Sequence, residues 1–317
     1  MVRGKMSGPI IAVTGAINWD INLYVPKIAS PGEEAVVERI ERVPGGKGAN
    51  VAVAISRILG KGKSAIIGGI GNDEIGRNHI HIFEEEGVDT RWLLRFEEVE
   101  SGQAYILIDE EGENQINTYF GANASLKREH VEGMKELFNT VRCLVLMDAP
   151  IEFTEGLLSL AKGVLKLWAP GVRVLKDRAS VLSLLKYMSY LILNEHELKD
   201  LTRTTDIFKA YDDLRALNPN LKVIVTQGAR GASLLTPEVT HSVEGIDLKR
   251  LGLKVVNTVG CGDAFIGALA SYLILGFSEE SALTMANLAG AIKATRYETR
   301  GSPTKAELER YYRMYFG

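Results

Sequence analysis

"NTVGCGDAFIGALA", residues 257–270, sets two glycines, a cysteine and an aspartate directly ahead of an apolar run with helical character. Gly260, Cys261 and Gly262 can present successive backbone N–H groups at a helix N-terminus, where the macrodipole favours negative charge. Asp263 then has two possible duties. As an N-terminal cap it would stabilise the helix by about 0.5–2 kcal/mol. As a base it would take a proton from an attacking hydroxyl while the amides neutralise charge on a phosphoryl group in transfer. A plain cap needs no glycines flanking a small residue in front of it, so the catalytic reading is preferred.

Upstream, short apolar runs alternate with longer amphipathic ones. "IIAVTG" (10–15), "SAIIGGIG" (64–71), "CLVLMDAP" (143–150), "YLILNEHE" (190–197) and "KVIVTQG" (222–228) read as buried strands ending in polar or glycine residues. Helices fit between them, as over 49–59 and 75–86. This alternation predicts a three-layer, doubly wound α/β fold: a mostly parallel sheet with helices on both faces. Ligands of such sheets gather beyond the carboxyl ends of the strands, where the polar endings collect. Two stretches break the alternation. Residues 20–43 and 101–120 carry period-two patterns such as "QAYILID" and "NQINTYF", the latter two joined by the turn-like "EEGEN". They predict antiparallel strands forming a small projecting lid. No compositional shift marks a boundary, so a single domain over 1–317 is expected.

The 317 residues are 46% hydrophobic and 24% charged, the balance of a globular chain able to bury a large core. A net charge of −3 offers no basic stripe to nucleic acid. Two cysteines cannot build a disulfide framework. The start has only a short apolar stretch at 10–13, and nothing approaches the roughly 18 apolar residues of a membrane span. A cytoplasmic protein with no membrane or nucleic-acid partner is expected.

Two glycine patterns mislead. "GKGKS" (60–64) resembles the end of a P-loop, but Arg57 stands where the first glycine is required, and the stretch precedes a strand. "GCGDAF" begins like a dinucleotide fingerprint, with Phe265 in the third glycine's place. A nicotinamide-dependent dehydrogenase is therefore disfavoured.

Other stretches carry more. In "PGGKGANVAVAISRILG" (44–60), Gly45 and Gly46 allow close backbone approach to a ligand. Lys47 adds a positive donor and Asn50 falls in the first helical turn. A lone GGKG reads equally well as a turn ahead of a helix. Asn18 and Asp20, two apart in an extended segment, face the same way, suited to vicinal hydroxyls or to an Asx turn. Asn194 and Glu197 in "NEHE" have the spacing of one helical turn, fit for hydrated Mg²⁺ or for a helix start alone. "TQGARG" (226–231) suits a phosphate-contacting turn or a hairpin. The five histidines show no metal-ligand spacing. Cys261, without a neighbouring histidine in sequence, reads as a small residue rather than a nucleophile.

In identity and order these motifs resemble the ribokinase-like (PfkB) family of carbohydrate kinases along essentially the whole chain. Residues 44–60 are similar to that family's first signature and "NTVGCGDAF" to its second, usually DTxGAGD. The N-x-x-E and T-x-G-x-x-G elements lie between, and the lid stretch "GENQINTYFGANASL" is close to the family's ribokinases. The resemblance implies Asp263 as the base and Gly260, Cys261 and Gly262 as the anion hole. It implies a sugar held by Asn18, Asp20, Gly45, Gly46, Lys47, Asn50 and Asp148. Asn194 and Glu197 would organise Mg²⁺ and phosphate, and Asn194, Thr226, Gly228, Gly231 and Asn287 would line a site for ATP or ADP. A homodimer through the lid is also implied.

Asn257 departs from the usual aspartate, Cys261 from alanine, and Asp148 is shorter than the family's glutamate. Asn257 is more familiar from the branch acting on sugar phosphates, and its lack of charge implies weak potassium dependence. Ribose is the favoured acceptor. A sugar phosphate would need a further cation, from Arg42, Arg95 or Arg173, and a nucleoside an apolar wall, from Tyr105 or Tyr119. A non-catalytic sugar- or nucleotide-binding regulator is the alternative from another class, disfavoured by Asp263 and its glycines.

Overall fold

The computed structural model describes residues 8–111 and 113–317. The basic start of the chain and Gly112, in the expected lid turn, lie outside the described residues. In chain order the strands are β1 (Ile11–Thr14), β2 (Asn18–Tyr24), β3 (Arg39–Gly45), β4 (Ser64–Gly71), β5 (Leu93–Phe96), β6 (Gly102–Ile108), β7 (Asn114–Tyr119), β8 (Cys143–Leu146), β9 (Leu165–Trp168), β10 (Tyr190–Asn194), β11 (Lys222–Thr226), β12 (Gly231–Leu235) and β13 (Thr240–Glu244). The α-helices follow the same order. They are α1 (Lys47–Leu59), α2 (Glu74–Glu85), α3 (Ile151–Leu160), α4 (Gly171–Leu175), α5 (Arg178–Leu184), α6 (Glu195–Thr202), α7 (Ile207–Arg215), α8 (Cys261–Ile274), α9 (Glu279–Ala294) and α10 (Lys305–Phe316).

Nine strands form one sheet in the order β13-β12-β11-β10-β9-β8-β1-β4-β5. From β11 to β5 all neighbours are parallel, and β12 and β13 extend the edge antiparallel. Alternate residues face opposite sides, so each central strand feeds two cores. Ile11 and Val13 belong to the core shared with α1, α8 and α9, whereas Ala12 belongs to the opposite core shared with α3, α6 and α7. Burial on both faces explains why these strands read as unbroken apolar runs. The chain returns to opposite sides of β1, first to β4 and later to β8, leaving a crevice at the strands' carboxyl ends.

The lid is a separate four-stranded sheet, β3-β2-β6-β7. It departs from the expected antiparallel arrangement at its centre. The β2–β3 and β6–β7 pairs are antiparallel, but β2 and β6 run parallel. They belong to separate excursions from the main sheet, so no hairpin joins them. Residues 25–38 contain no strand. The run at 190–197 is strand only to Asn194, because α6 begins at Glu195. The short strands β5 and β9 and the β12–β13 hairpin were not foreseen. "GKGKS" closes α1 at Gly60 and leads into β4, as its rejection as a P-loop requires. No helix among the described residues is long and apolar enough to cross a membrane.

Helix α8 lies close against α1. A Cβ built on Gly267 would stand 2.5 Å from the Ala54 Cβ and 3.3 Å from the Val51 carbonyl oxygen. Glycine costs a helix interior about 1 kcal/mol relative to alanine, whereas overpacking a tight contact costs about 1–3 kcal/mol. Gly267→Ala is therefore expected to lower the denaturation midpoint. A raised midpoint would show that the helices can separate freely.

Candidate active site

A cleft of about 450 Å³ opens between the carboxyl ends of the central strands and the underside of the lid. Its walls include Asn18, Asp20, Gly46, Lys47, Asn50, Asp148, Asn194, Glu197, Thr226, Gly260, Gly262 and Asp263. Residues far apart in the chain thus meet in one space. Ala104, Ile106, Ile116 and Thr118 of the lid form the roof.

At one end lie Asn18 and Asp20, both buried and both on the cleft side of β2. Period-two alternation delivers that pairing. The Asn18 Oδ1 accepts from Asn123 Nδ2 at 2.9 Å, which fixes the amide's orientation. A Cβ on Gly45 would collide with the Asp20 carboxylate, so glycine is required there by side-chain proximity. Gly45 itself does not line the cleft. Gly46, with φ 92°, turns the chain into α1 and presents Lys47 and Asn50. The Asp148 Oδ1 accepts from the Ala16 N–H at 2.9 Å, a span suited to the shorter aspartate.

Asp263 is the third residue of α8 but does not cap it. The N-cap is Gly260, and no side-chain capping bond is made. Instead the Asp263 Oδ2 accepts from Asn50 Nδ2 at 2.8 Å. Burial raises the Asp263 pKa to about 6, against the stabilising Asn50 bond and the Lys47 charge. Burial likewise lifts Asp20 to about 7, opposed by the Arg300 charge. A carboxylate with a pKa near 6 is suited to accept a proton near neutral pH.

The expected row of three free amides needs correction. The Cys261 N–H donates to the Thr258 carbonyl at 3.2 Å, because the turn entering α8 consumes it. Among the described residues, the N–H groups of Gly260, Gly262 and Asp263 have no such acceptor. Burial pushes the Cys261 thiol up, away from thiolate character.

On the opposite side, Asn194 and Glu197 form a reciprocal capping box at the start of α6. Asn194 Oδ1 accepts from the Glu197 N–H at 2.9 Å, and Glu197 Oε2 accepts from the Asn194 N–H at 3.0 Å. Both residues line the cleft, and each keeps a further polar atom outside the capping bonds, the Asn194 amide nitrogen and the second Glu197 oxygen. Thr226 joins them there. Gly228, Gly231 and Asn287 are not brought into the cleft wall. The two glycines shape the β11–β12 turn, with φ 59° and 106°. The Asn287 amide donates to the Glu244 carbonyl at 2.8 Å, tying α9 to the end of β13. Among the described residues no cluster of three His, Cys, Asp or Glu could hold a metal alone.

Sequence reading missed several contributors. Arg300 is buried beside the Asn18–Asp20 end of the cleft. Its Nε donates to Asn50 Oδ1 at 3.1 Å and its Nη2 to the Gly45 carbonyl at 2.9 Å. Asn123 holds both Asn18 and the Ile17 N–H. Of the three candidate arginines only Arg173 lines the cleft. It donates to the Asp148 carbonyl at 2.9 Å and stacks over Phe120 at 4.1 Å. Tyr105 and Tyr119 stay outside the lining. For Tyr105 the reason is alternation, since its neighbours Ala104 and Ile106 take the cleft face.

A buried carboxylate beside helix-terminal amides, facing a polar pocket under a lid, is an arrangement that a phosphotransferase with an alcohol group as acceptor can use. Residues 10–306 match the pfkB family carbohydrate kinases, and the chain belongs to that family. It is similar to the ribokinase of Dictyostelium discoideum, 29% identical over 93% of this chain and 98% of that one. The solved ribokinase of Thermotoga maritima is 28% identical, with a TM-score of 0.85 over 96% of this chain and 99% of that one. That of Cryptococcus neoformans var. grubii serotype A, in complex with ADP, is 25% identical, with a TM-score of 0.79 over 96% and 100%.

Asp263→Asn keeps an oxygen for the Asn50 amide. It is expected to fold and to lose turnover by the ~10²–10⁴-fold of a positioned base. Since the base acts deprotonated, wild-type turnover should fall as pH drops through about 6. Near-normal turnover in the folded variant, or a flat acid limb, would remove Asp263 from the chemistry.

Proposed function

We infer that the protein transfers the terminal phosphoryl of a nucleotide, ATP foremost, to the 5-hydroxyl of ribose. The observation carrying this reading is the Asp263 carboxylate, held by Asn50 beside the unengaged amides of Gly260 and Gly262 and open to the cleft shared with Asn18 and Asp20. Asp263 deprotonates the hydroxyl and the amides receive the developing negative charge. Asn18, Asp20, Lys47 and Asn50 orient the sugar, and Asp148 closes the same end. Asn194, Thr226, Gly228, Gly231 and Asn287 serve the nucleotide, the last three from just beyond the cleft wall.

Mg²⁺ fits the donor set. One carboxylate and one amide, each keeping a free polar atom, suit a hydrated ion carried largely by nucleotide phosphates. When bound, it neutralises charge on the phosphates. Phosphoryl transfer is accordingly expected to stop in excess EDTA and return with added Mg²⁺. Undiminished transfer in EDTA would refute the metal requirement.

The whole chain is read as one kinase domain, with lid segments at about 20–43 and 101–120, working in the cytoplasm. Exposed Ile40, Tyr105 and Tyr119 on the lid support pairing of two lids in a homodimer.

Arg173 favours a second reading, in which the acceptor already carries a phosphate. Its guanidinium lies in the cleft wall beside Asp148. A panel of ribose, 2-deoxyribose, ribose-1-phosphate and nucleosides, followed by phosphorus NMR, separates these readings. Ribose is expected to react best. A site built on hydroxyl contacts leaves buried polar groups unpaired when a hydroxyl is missing, so 2-deoxyribose should react more poorly. A kcat/KM tens of times higher for ribose-1-phosphate would move the assignment to Arg173, and the same result for a nucleoside would also sink ribose.

A further inference from the structure

Lys293, at the end of α9, is fully buried. Its ammonium donates to the carbonyl oxygens of Asn257, at 2.9 Å, and Arg296, at 3.4 Å. Among the described residues no carboxylate forms an ion pair with it. Desolvating an ammonium costs several kcal/mol by order of magnitude, and two neutral carbonyls are a weak return. An inward-pointing set of carbonyl dipoles is the environment in which a dehydrated monovalent cation is held.

The placement is informative. The Asn257 carbonyl belongs to the loop that leads into the Gly260 turn, and the Arg296 carbonyl to the segment leading to Thr299 and Arg300. Lys293 Cε lies 3.5 Å from where a Cβ on Gly260 would stand, directly behind the free amides. Asn257 completes the joint. Its Nδ2 donates to the Tyr297 carbonyl at 2.8 Å, and its Oδ1 accepts from the Val259 N–H at 2.9 Å. An ionised aspartate could make only the second bond. Burial pushes the Lys293 pKa down, while Cys261, Glu298 and Asp263 favour its charged form.

Resting on the kinase reading, we propose that Lys293 is a tethered monovalent cation that positions the Gly260–Gly262 turn and supplies positive potential behind it. Phosphoryl transfer then needs no free potassium. Lys293 touches neither substrate nor reacting atoms and acts through the amides, whose charge stabilisation gains weight in a low-dielectric site.

The test compares potassium chloride with tetramethylammonium chloride at constant ionic strength, for wild type, Lys293→Met and Lys293→Ala. Turnover is measured alongside calorimetric binding of ADP with tetrafluoroaluminate and Mg²⁺, so a failed kinase reading shows as absent turnover while the binding series still judges Lys293. Wild type should be indifferent to the swap in both readouts. Lys293→Met should lose roughly tenfold or more in kcat, with KM for the sugar little changed, on the scale of lost anion-hole support. Lys293→Ala should regain turnover or analogue binding on adding potassium or ammonium, which a purely structural lysine would not allow. Strong potassium dependence of the wild type would overturn the proposal, as would a folded Lys293→Met with full activity and analogue binding. If neither variant folds, the wild-type swap decides alone.

Discussion

One amide side chain joins the two halves of the site. Asn50, in the first turn of α1, donates to the Asp263 carboxylate and accepts from the Arg300 guanidinium. An amide can do both because it carries a donor and an acceptor on one rigid plane. A carboxylate would repel Asp263, and a hydroxyl is too short to span the gap. Through this link, the glycine turn ahead of α1 fixes the orientation of the Asp263 carboxylate. Arg300 in turn holds the Gly45 carbonyl, so that turn and Asp263 at the head of α8 form one unit. The tight α1–α8 contact at Gly267 keeps that unit rigid from below.

The site opposes the stability of the fold. Asp20 and Asp263 have pKa values of about 7 and 6, each above the ordinary 3.8. Between about pH 4 and 7 these two groups hold more protons folded than unfolded, so their own contribution to stability falls as pH rises through that window, while buried His79, lowered to about 3, contributes in the opposite direction. Arg300 limits the loss at Asp20 and Lys47 limits it at Asp263. Arg300 also acts on Asp263, so one guanidinium offsets part of the burial of both carboxylates.

Much of the cleft wall was legible in sequence because its physics is local. Glycines at 45, 46, 260 and 262 mark backbone that something must approach, and Asn18 with Asp20 follows from strand alternation. The strands flanking the crevice were legible for the same reason, being buried on both faces. Contacts across the chain were not. Arg300 meets Asn50 from 250 positions away, and Asn123 meets Asn18 from 105. Strand β9, with lysine inside "LKLW", lacks the apolar run that revealed its neighbours. Asn287, Gly228 and Gly231 were singled out by type and order, and in the structure they stand outside the cleft wall.

Strand β3 ends at Gly45 and helix α1 begins at Lys47, so a single residue separates the first half of the lid from the helix bearing Asn50. The β6–β7 hairpin is different, because its strands reach the cleft without leading into the helix that bears Asn50. Evolution is thereby offered two unequal surfaces. Insertions or drift in β2 and β3 would be transmitted almost at once to Asn50 and, through it, to Asp263, and selection should hold them still. The roof side chains Ile106, Ile116 and Thr118 line the cleft without a hydrogen bond to that unit, so substitutions there would disturb it less. Change in acceptor preference would then come most easily through one hairpin, while its partner strands stay tied to Asn50 and Asp263.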